Sequence, residues 1–164
     1  MPAPEIEVLL AVLDRAYDRR SWHGPNLRGA LRGVTLAEAA WRPAPGRHNV
    51  WEVLVHAAYW KYVVRRRLLG EKRGSFPLAG SDWFARPEAA TAAAWRSDLE
   101  LLAGTHRALR AAVAGLKPRA LRRAAGGGTS PLDLVAGAAA HDVYHAGQIQ
   151  LLKRLQRAGR SPAR

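Results

Sequence analysis

Four segments of this chain repeat apolar residues at three- and four-residue steps, and this periodicity limits the fold more than any other feature. Such spacing places the apolar side chains on one face of a helix, and that face must be buried against another element. The alternation of apolar and polar residues that is typical of strands is nearly absent. Helices are therefore predicted at about 5–20, 49–69, 87–116 and 130–157. Four amphipathic helices without a sheet to cover favour an all-α fold, an antiparallel four-helix bundle.

Local signals mark where several of these helices begin. The second helix begins at Asn49, which makes a capping-box pair with Glu52 three residues later. The fourth begins with Ser130 as its cap and Pro131 at the first helical position. A further short helix is predicted at 35–40, headed by a threonine and a glutamate at the same capping spacing.

The connections between the predicted helices differ in length. Residues 21–48 form a long excursion between the first and second helices, and 70–87 is a link long enough to cross the length of the bundle. A crossover there would make the third helix parallel to the second. With 164 residues, the chain fits one domain over 1–164, with a disordered or frayed tail at about 158–164.

Composition narrows the class of protein. The chain has no cysteine, which excludes disulfides and thiolate ligands. It has no signal-peptide pattern and no apolar run long enough for a bilayer, so we expect a cytoplasmic protein without a membrane partner. The formal net charge of +13, from 26 basic and 13 acidic residues, raises the question of nucleic acid. The basic residues are spread along the chain, which is more typical of a solvated surface.

Three histidines on the inner faces of the predicted helices suggest the chemistry. His56 lies on the apolar stripe of the second helix, and His141 and His145 lie one turn apart on that of the fourth. A buried imidazole destabilises the fold unless it finds a hydrogen bond or a metal. Three neutral imidazoles suit a divalent cation and leave a coordination position open. The alternative from the residues alone is a polar core layer in which the histidines hydrogen-bond one another and Gln148.

Other side chains are candidates for supporting the histidines or lining a pocket around them. Gln148 follows His145 on the same helix face, and the excursion 21–48 is expected near the end of the bundle that carries His56. These candidates are Gln148, Trp60, Trp22, His23 and Asn26. For the last three the favoured alternative is structural: Trp22 would plug the end of the bundle, and His23 and Asn26 would satisfy turn backbone. No residue is predicted to be catalytic.

Two further polar residues lie on or beside the inner stripes. His106 is predicted to be a core histidine, with a fourth metal ligand as the alternative. Asp142 follows a candidate ligand directly but points about 100° away from it. It is therefore predicted to be a surface or helix-pairing carboxylate.

Three segments carry a wider pattern. They are Trp-His-Gly-Pro-Asn-Leu at 22–27, Asn-Val-Trp-Glu-Val-Leu-Val-His at 49–56 and His-Asp-Val-Tyr-His-Ala-Gly-Gln-Ile at 141–149. Their order and spacing resemble the DinB/YfiT superfamily of metalloenzymes. The resemblance implies a four-helix bundle over nearly the whole chain, often dimeric, with His56, His141 and His145 as ligands to a divalent ion. Members include hydrolases and transferases of low-molecular-weight thiols such as glutathione, mycothiol or bacillithiol.

The leading hypothesis is therefore a metal-dependent transferase or hydrolase whose ion activates a small thiol or water. Zinc or nickel is expected, with iron and manganese also open. The missing His-Glu-x-x-His pattern favours the thiol, because hydrolysis also needs a general base. The expected partners are a small-molecule substrate and a second copy of the chain. The alternatives are a non-catalytic metal- or ligand-binding stress-response protein and a basic nucleic-acid-binding protein.

Overall fold

The computed structural model describes residues 3–124 and 128–159, and its regular structure is entirely helical. Within these ranges there is no strand, so the all-α class is confirmed. The helices are α1 (Pro4–Tyr17), α2 (Leu27–Leu31), α3 (Leu36–Ala40), α4 (Val50–Leu69), α5 (Ala92–Ala114) and α6 (Pro131–Ala158), with a 3-10 turn at Pro118–Ala120. None of the helices described is both long enough and apolar enough to cross a membrane. From residue 160 onward, the predicted tail lies outside the described residues.

Several helix ends follow the signals in the sequence. Asn49 and Glu52 form a reciprocal capping box at the start of α4, where Asn49 Oδ1 accepts from the Glu52 amide at 2.8 Å. Thr35 and Glu38 form the same arrangement at the start of α3. Gly70 ends α4 in the left-handed conformation, with φ of 68°, which glycine adopts without a Cβ penalty. These local predictions are confirmed.

Two predicted boundaries are wrong by a few residues. Helix α1 ends at Tyr17 rather than near residue 20, because the Arg19 amide bonds back to the Asp14 carbonyl five residues earlier and closes the last turn. Helix α5 begins at Ala92 rather than near residue 87, because the Thr91 hydroxyl accepts from an amide in the first turn and caps the helix there.

The short helix α2 was not predicted. Its five residues are too few to show a helical period, and they include Gly29. The Asn26 side chain holds the segment together: its Oδ1 accepts from the Gly29 amide at 2.8 Å, and its Nδ2 donates to the Arg19 carbonyl at 2.8 Å. The excursion 21–48 is thus partly helical.

Helices α4 and α5 run in the same direction. Near the start of both, Trp51 Nε1 donates to Asp98 Oδ2 at 2.7 Å. Further along both, Lys61 Nζ lies 3.5 Å from His106 Nδ1. The link 70–91 therefore returns the chain along the length of α4, as the crossover prediction requires.

Helices α1 and α6 run opposite to α4. Val53, in the first half of α4, belongs to the same apolar cluster as Ile149 and Tyr17, which lie late in α6 and at the end of α1. Val64, in the second half of α4, belongs to a second cluster with Leu134 and Ile6, at the starts of α6 and α1. Two helices thus point each way, and all four contribute to both clusters.

A layer of buried polar side chains lies where the two apolar clusters meet, and Tyr17 belongs both to this layer and to the first cluster. The members of this layer are Lys61, Asp142, His106 and Tyr17, each at most 4% exposed. Lys61 forms an ion pair with Asp142 between α4 and α6, so the carboxylate pairs two helices rather than facing solvent. His106 stacks on Tyr17, with ring centroids 3.8 Å apart, and is a core residue as predicted.

The burial of His106 predicts a loss of stability in acid. Burial, with Lys61, Arg110 and Arg107 nearby, lowers the pKa of His106 to about 3. Above its unfolded pKa of about 6.5 the residue is neutral in both states. As the pH falls from there toward 3, only the unfolded chain takes up this proton, so the free energy of unfolding decreases by up to about 1.4 kcal/mol per pH unit. Urea denaturation at a series of pH values measures this slope.

The matched variant is His106→Phe, which keeps a ring against Tyr17 but cannot titrate. Below pH 6.5, the free energy of unfolding of this variant should depend less steeply on pH than that of the wild type, by the equivalent of up to one bound proton. Equal slopes for the two proteins would contradict the prediction.

Candidate metal centre

The structure brings together the three histidines that the sequence singled out. His56 projects from α4, and His141 and His145 project from successive turns of α6. His141 Nε2 lies 3.1 Å from His56 Nε2 and 3.0 Å from His145 Nε2. One nitrogen from each residue can be chosen so that all three lie within 4.8 Å of one another.

Hydrogen bonds on the far side of two rings fix their tautomers. His56 Nδ1 donates to the Asp82 carbonyl at 2.9 Å, and His145 Nδ1 donates to Gln148 Oε1 at 2.6 Å. Because both partners accept, each Nδ1 carries the hydrogen and each Nε2 keeps a lone pair. Metal-binding imidazoles are commonly oriented in this way. Gln148 therefore lies where the sequence expected a supporting residue.

The hydrogen bonds among the three rings satisfy a polar core layer less fully than a metal would satisfy the same nitrogens. Only His141 Nε2 is free to carry a hydrogen between the rings, and a single N–H can serve one of its two short contacts well. A cation would instead satisfy all three lone pairs. Tetrahedral zinc with Zn–N of about 2.0–2.1 Å needs neighbouring nitrogens about 3.3 Å apart. The contacts of 3.0 and 3.1 Å are within a few tenths of an ångström of this value. The residues present fit a divalent metal.

Burial keeps the three imidazoles neutral. It lowers the pKa of His141 to about 3, with smaller effects in the same direction from His145, His56 and Lys61. It lowers the pKa of His145 to about 4, although the hydrogen bond that His145 donates to Gln148 acts in the opposite direction. The pKa of His56 is also lowered, chiefly by burial. The lone pairs that a metal needs are therefore available at neutral pH.

Two residues of the link 70–91, Asp82 and Trp83, lie beside His56 together with Trp60 of α4. Trp83 stacks on His56 with ring centroids 3.8 Å apart and nearly parallel planes. Trp60, a predicted pocket residue, lies with its ring centroid 6.3 Å from those of both His56 and His141. Its indole nitrogen donates to Asp82 Oδ1 at 2.8 Å.

Sequence reasoning missed both Asp82 and Trp83. The available signal was a polar and an aromatic residue adjacent to each other in a link that is otherwise rich in glycine, serine and proline. Because the pair lies outside any helical repeat, the sequence did not indicate that it would contact His56.

Three other predicted pocket residues lie away from the triad. Trp22 is 97% exposed, and with His23 it borders a surface groove between α1 and α6 whose wall includes Val143. At about 100° per residue, Val143 faces away from His141 on α6. Asn26 caps α2.

The arrangement leaves a coordination position for a further ligand. Three imidazoles without a carboxylate are a ligand set found in catalytic zinc sites, where the fourth position binds water or substrate. His141 is only partly buried, so the centre reaches solvent. The fold and the site together define a class of all-α proteins with a buried three-histidine group that fits a metal-binding site.

Comparison with protein families identifies the group to which this chain belongs. The family model of the DinB superfamily matches residues 4–149, which include all three histidines. The chain is a member of the DinB superfamily. No match was found among curated proteins or among solved structures.

Proposed function

We propose that this protein is a divalent-metal-dependent enzyme of the thiol S-transferase or hydrolase type. The observation that carries the proposal is that neutral nitrogens of three imidazoles lie close together. Two of these rings are held in place by hydrogen bonds that their Nδ1 atoms donate. Zinc or nickel would be held by His56, His141 and His145, and iron would also suit imidazole ligands. When bound, such an ion supplies Lewis acidity that lowers the pKa of a thiol or a water in the remaining position.

The charges around the triad favour a thiol over water. Because the imidazoles are neutral, they leave the charge of a divalent ion uncompensated, which favours an anionic further ligand. Among the residues described, Asp82 alone brings a carboxylate within ion-pair distance of the triad, with Oδ1 3.3 Å from His56 Nδ1. This oxygen already accepts from Trp60. A thiolate attacks an electrophilic carbon directly, whereas water would also need a general base.

The side chains around the imidazoles support a small-molecule substrate. Trp60 and Trp83 contact His56, and the Tyr144 ring lies 5.2 Å from that of His145 while 63% of the residue is exposed. Aromatic faces at a partly open site bind the apolar or planar part of a ligand. A thiol with an electrophilic co-substrate would match such surroundings.

Elemental analysis and an activity screen test the proposal together. Untagged protein purified without chelators, or reconstituted with zinc or nickel, should contain about one equivalent of metal for its three ligands. The loaded protein should then catalyse thiol conjugation to electrophiles, or ester or amide hydrolysis. The control is His145→Ala, which should lose both metal and activity while its circular dichroism stays nearly unchanged.

Three outcomes would count against the proposal. Absence of metal after reconstitution would favour a polar core layer. Full metal content in His145→Ala would overturn the ligand assignment. Stoichiometric metal without turnover across the screen would indicate a non-catalytic binding protein.

A further inference from the structure

We infer that Asp82 is a positioning residue for the metal centre, whose backbone carbonyl selects the tautomer and orientation of His56. This inference rests on the proposed metal site and adds to it a residue outside the helices. The carbonyl accepts the His56 Nδ1 hydrogen at 2.9 Å. An imidazole held by this bond presents the lone pair of Nε2 toward His141, as a metal ligand must.

The backbone conformation of Asp82 suits this role. It is the one non-glycine residue with positive φ among those described, at 65°. Aspartate and asparagine adopt this left-handed conformation more readily than most residues, because their short polar side chains can hydrogen-bond locally. Alanine has no polar side chain and lacks this stabilisation. The side chain also tethers the turn, because Oδ1 accepts from Trp60 Nε1 at 2.8 Å. Conformation and tether together aim the carbonyl at His56.

The residues that follow Asp82 anchor it to the fold. Trp83 is stacked between His56 and His48, with centroid distances of 3.8 and 3.6 Å. Phe84 is buried in the apolar core. Arg86 reaches Asp98 with two nitrogens, at 2.9 and 3.0 Å. Contacts at residues 83, 84 and 86 therefore hold this segment, and with it the Asp82 carbonyl, more firmly than a free loop would be held.

The Asp82 carbonyl performs a task that helix α4 cannot. Within a helix, carbonyls accept from amides four residues on, so they are not free to orient a neighbouring imidazole. The irregular segment around Asp82 supplies a free acceptor at a fixed place. Loss of such an outer hydrogen bond typically weakens metal binding by about 10–100-fold.

Two substitutions separate the role of Asp82 from general damage. Asp82→Ala removes the tether and disfavours the left-handed conformation, and it should weaken zinc binding by about 10–100-fold in competition with a chromophoric chelator. Asp82→Asn keeps both the conformational tolerance and a side-chain oxygen for Trp60, and it should remain within about threefold of wild type. Ser81→Ala, at the exposed neighbouring position, is the control and should bind as wild type does.

A measurement without metal separates this inference from the proposed function. In the apo protein, the ¹⁵N chemical shifts of His56 should report a hydrogen on Nδ1 in wild type and Asp82→Asn. In Asp82→Ala they should shift toward the Nε2–H form. If wild type binds no metal yet shows this pattern, the proposed function fails and the positioning role stands. If Asp82→Ala leaves both the zinc affinity and the His56 tautomer unchanged, the inference is overturned.

Discussion

Replacing Lys61 with methionine is expected to lower the free energy of unfolding by about 3–5 kcal/mol, the usual effect of removing one partner from a buried ion pair. The substitution leaves Asp142 without its cation at a position that is 1% exposed. Its Oδ1 already lacks a hydrogen-bond partner among the described residues. Burial raises the pKa of Asp142 and lowers that of Lys61, so each needs the other to remain charged.

Urea denaturation measures this loss, and a second variant tests its cause. Lys61→Met combined with Asp142→Leu replaces both charges by apolar groups of similar size, so it should recover most of the lost stability. Lys72→Met, at an exposed position, is the control and should change little. If the double variant were even less stable than Lys61→Met, the unpaired charge of Asp142 would not be the cause of the lost stability.

Zinc or nickel is expected to stabilise the wild-type fold by about 2.7 kcal/mol at a free concentration 100 times the dissociation constant, and by about 4.1 kcal/mol at 1,000 times. The physical reason is that the three imidazoles are assembled only in the folded state. His141→Ala should abolish this response. Within the described part of the chain, the His141 ring hydrogen-bonds only to the other two histidines of the group, so its removal tests the centre with little disturbance elsewhere.

Denaturation in buffered metal, compared with denaturation in chelator, provides the measurement. His23→Ala is the matched control, since this histidine is exposed and borders the groove on the other side of α6. It should respond to metal as wild type does. An equal metal response in His141→Ala would mean that the ion binds elsewhere.

Much of the helical framework followed from local sequence signals. The Asn49 and Thr35 caps, the Gly70 stop and the crossover link were predicted because each depends on a few neighbouring residues or on link length alone. The pairing of His141 with His145 was also accessible, because positions four residues apart share a helix face, and the apolar stripe of α4 indicated that His56 points toward the same interior. The small-molecule substrate and the homodimer stay predictions.

The parts that were missed depend on how distant segments meet. Asp142 could be placed on the surface or between helices, and only the relative rotation of α4 and α6 brings Lys61 to it. Trp22 was a candidate for the pocket or for the end of the bundle because of its position in the chain, but it is 97% exposed and borders the groove between α1 and α6. Asp82 required knowledge of a left-handed backbone in an irregular link. None of these has a periodic signal in the sequence.

The parallel direction of α4 and α5 has a consequence for how such a centre can evolve. Antiparallel neighbours can be joined by a few residues, but parallel neighbours require the chain to travel back along the first helix. In this protein the return path runs beside His56 and is made of non-helical backbone, whose carbonyls can accept from side chains, as that of Asp82 does from His56. Phe84 and Arg86 hold this path to the bundle, so the changes that leave helix packing intact are those at its exposed positions. Substitutions at exposed positions of the path could thus alter the surroundings of His56 while Phe84 and Arg86 keep the path attached to the bundle.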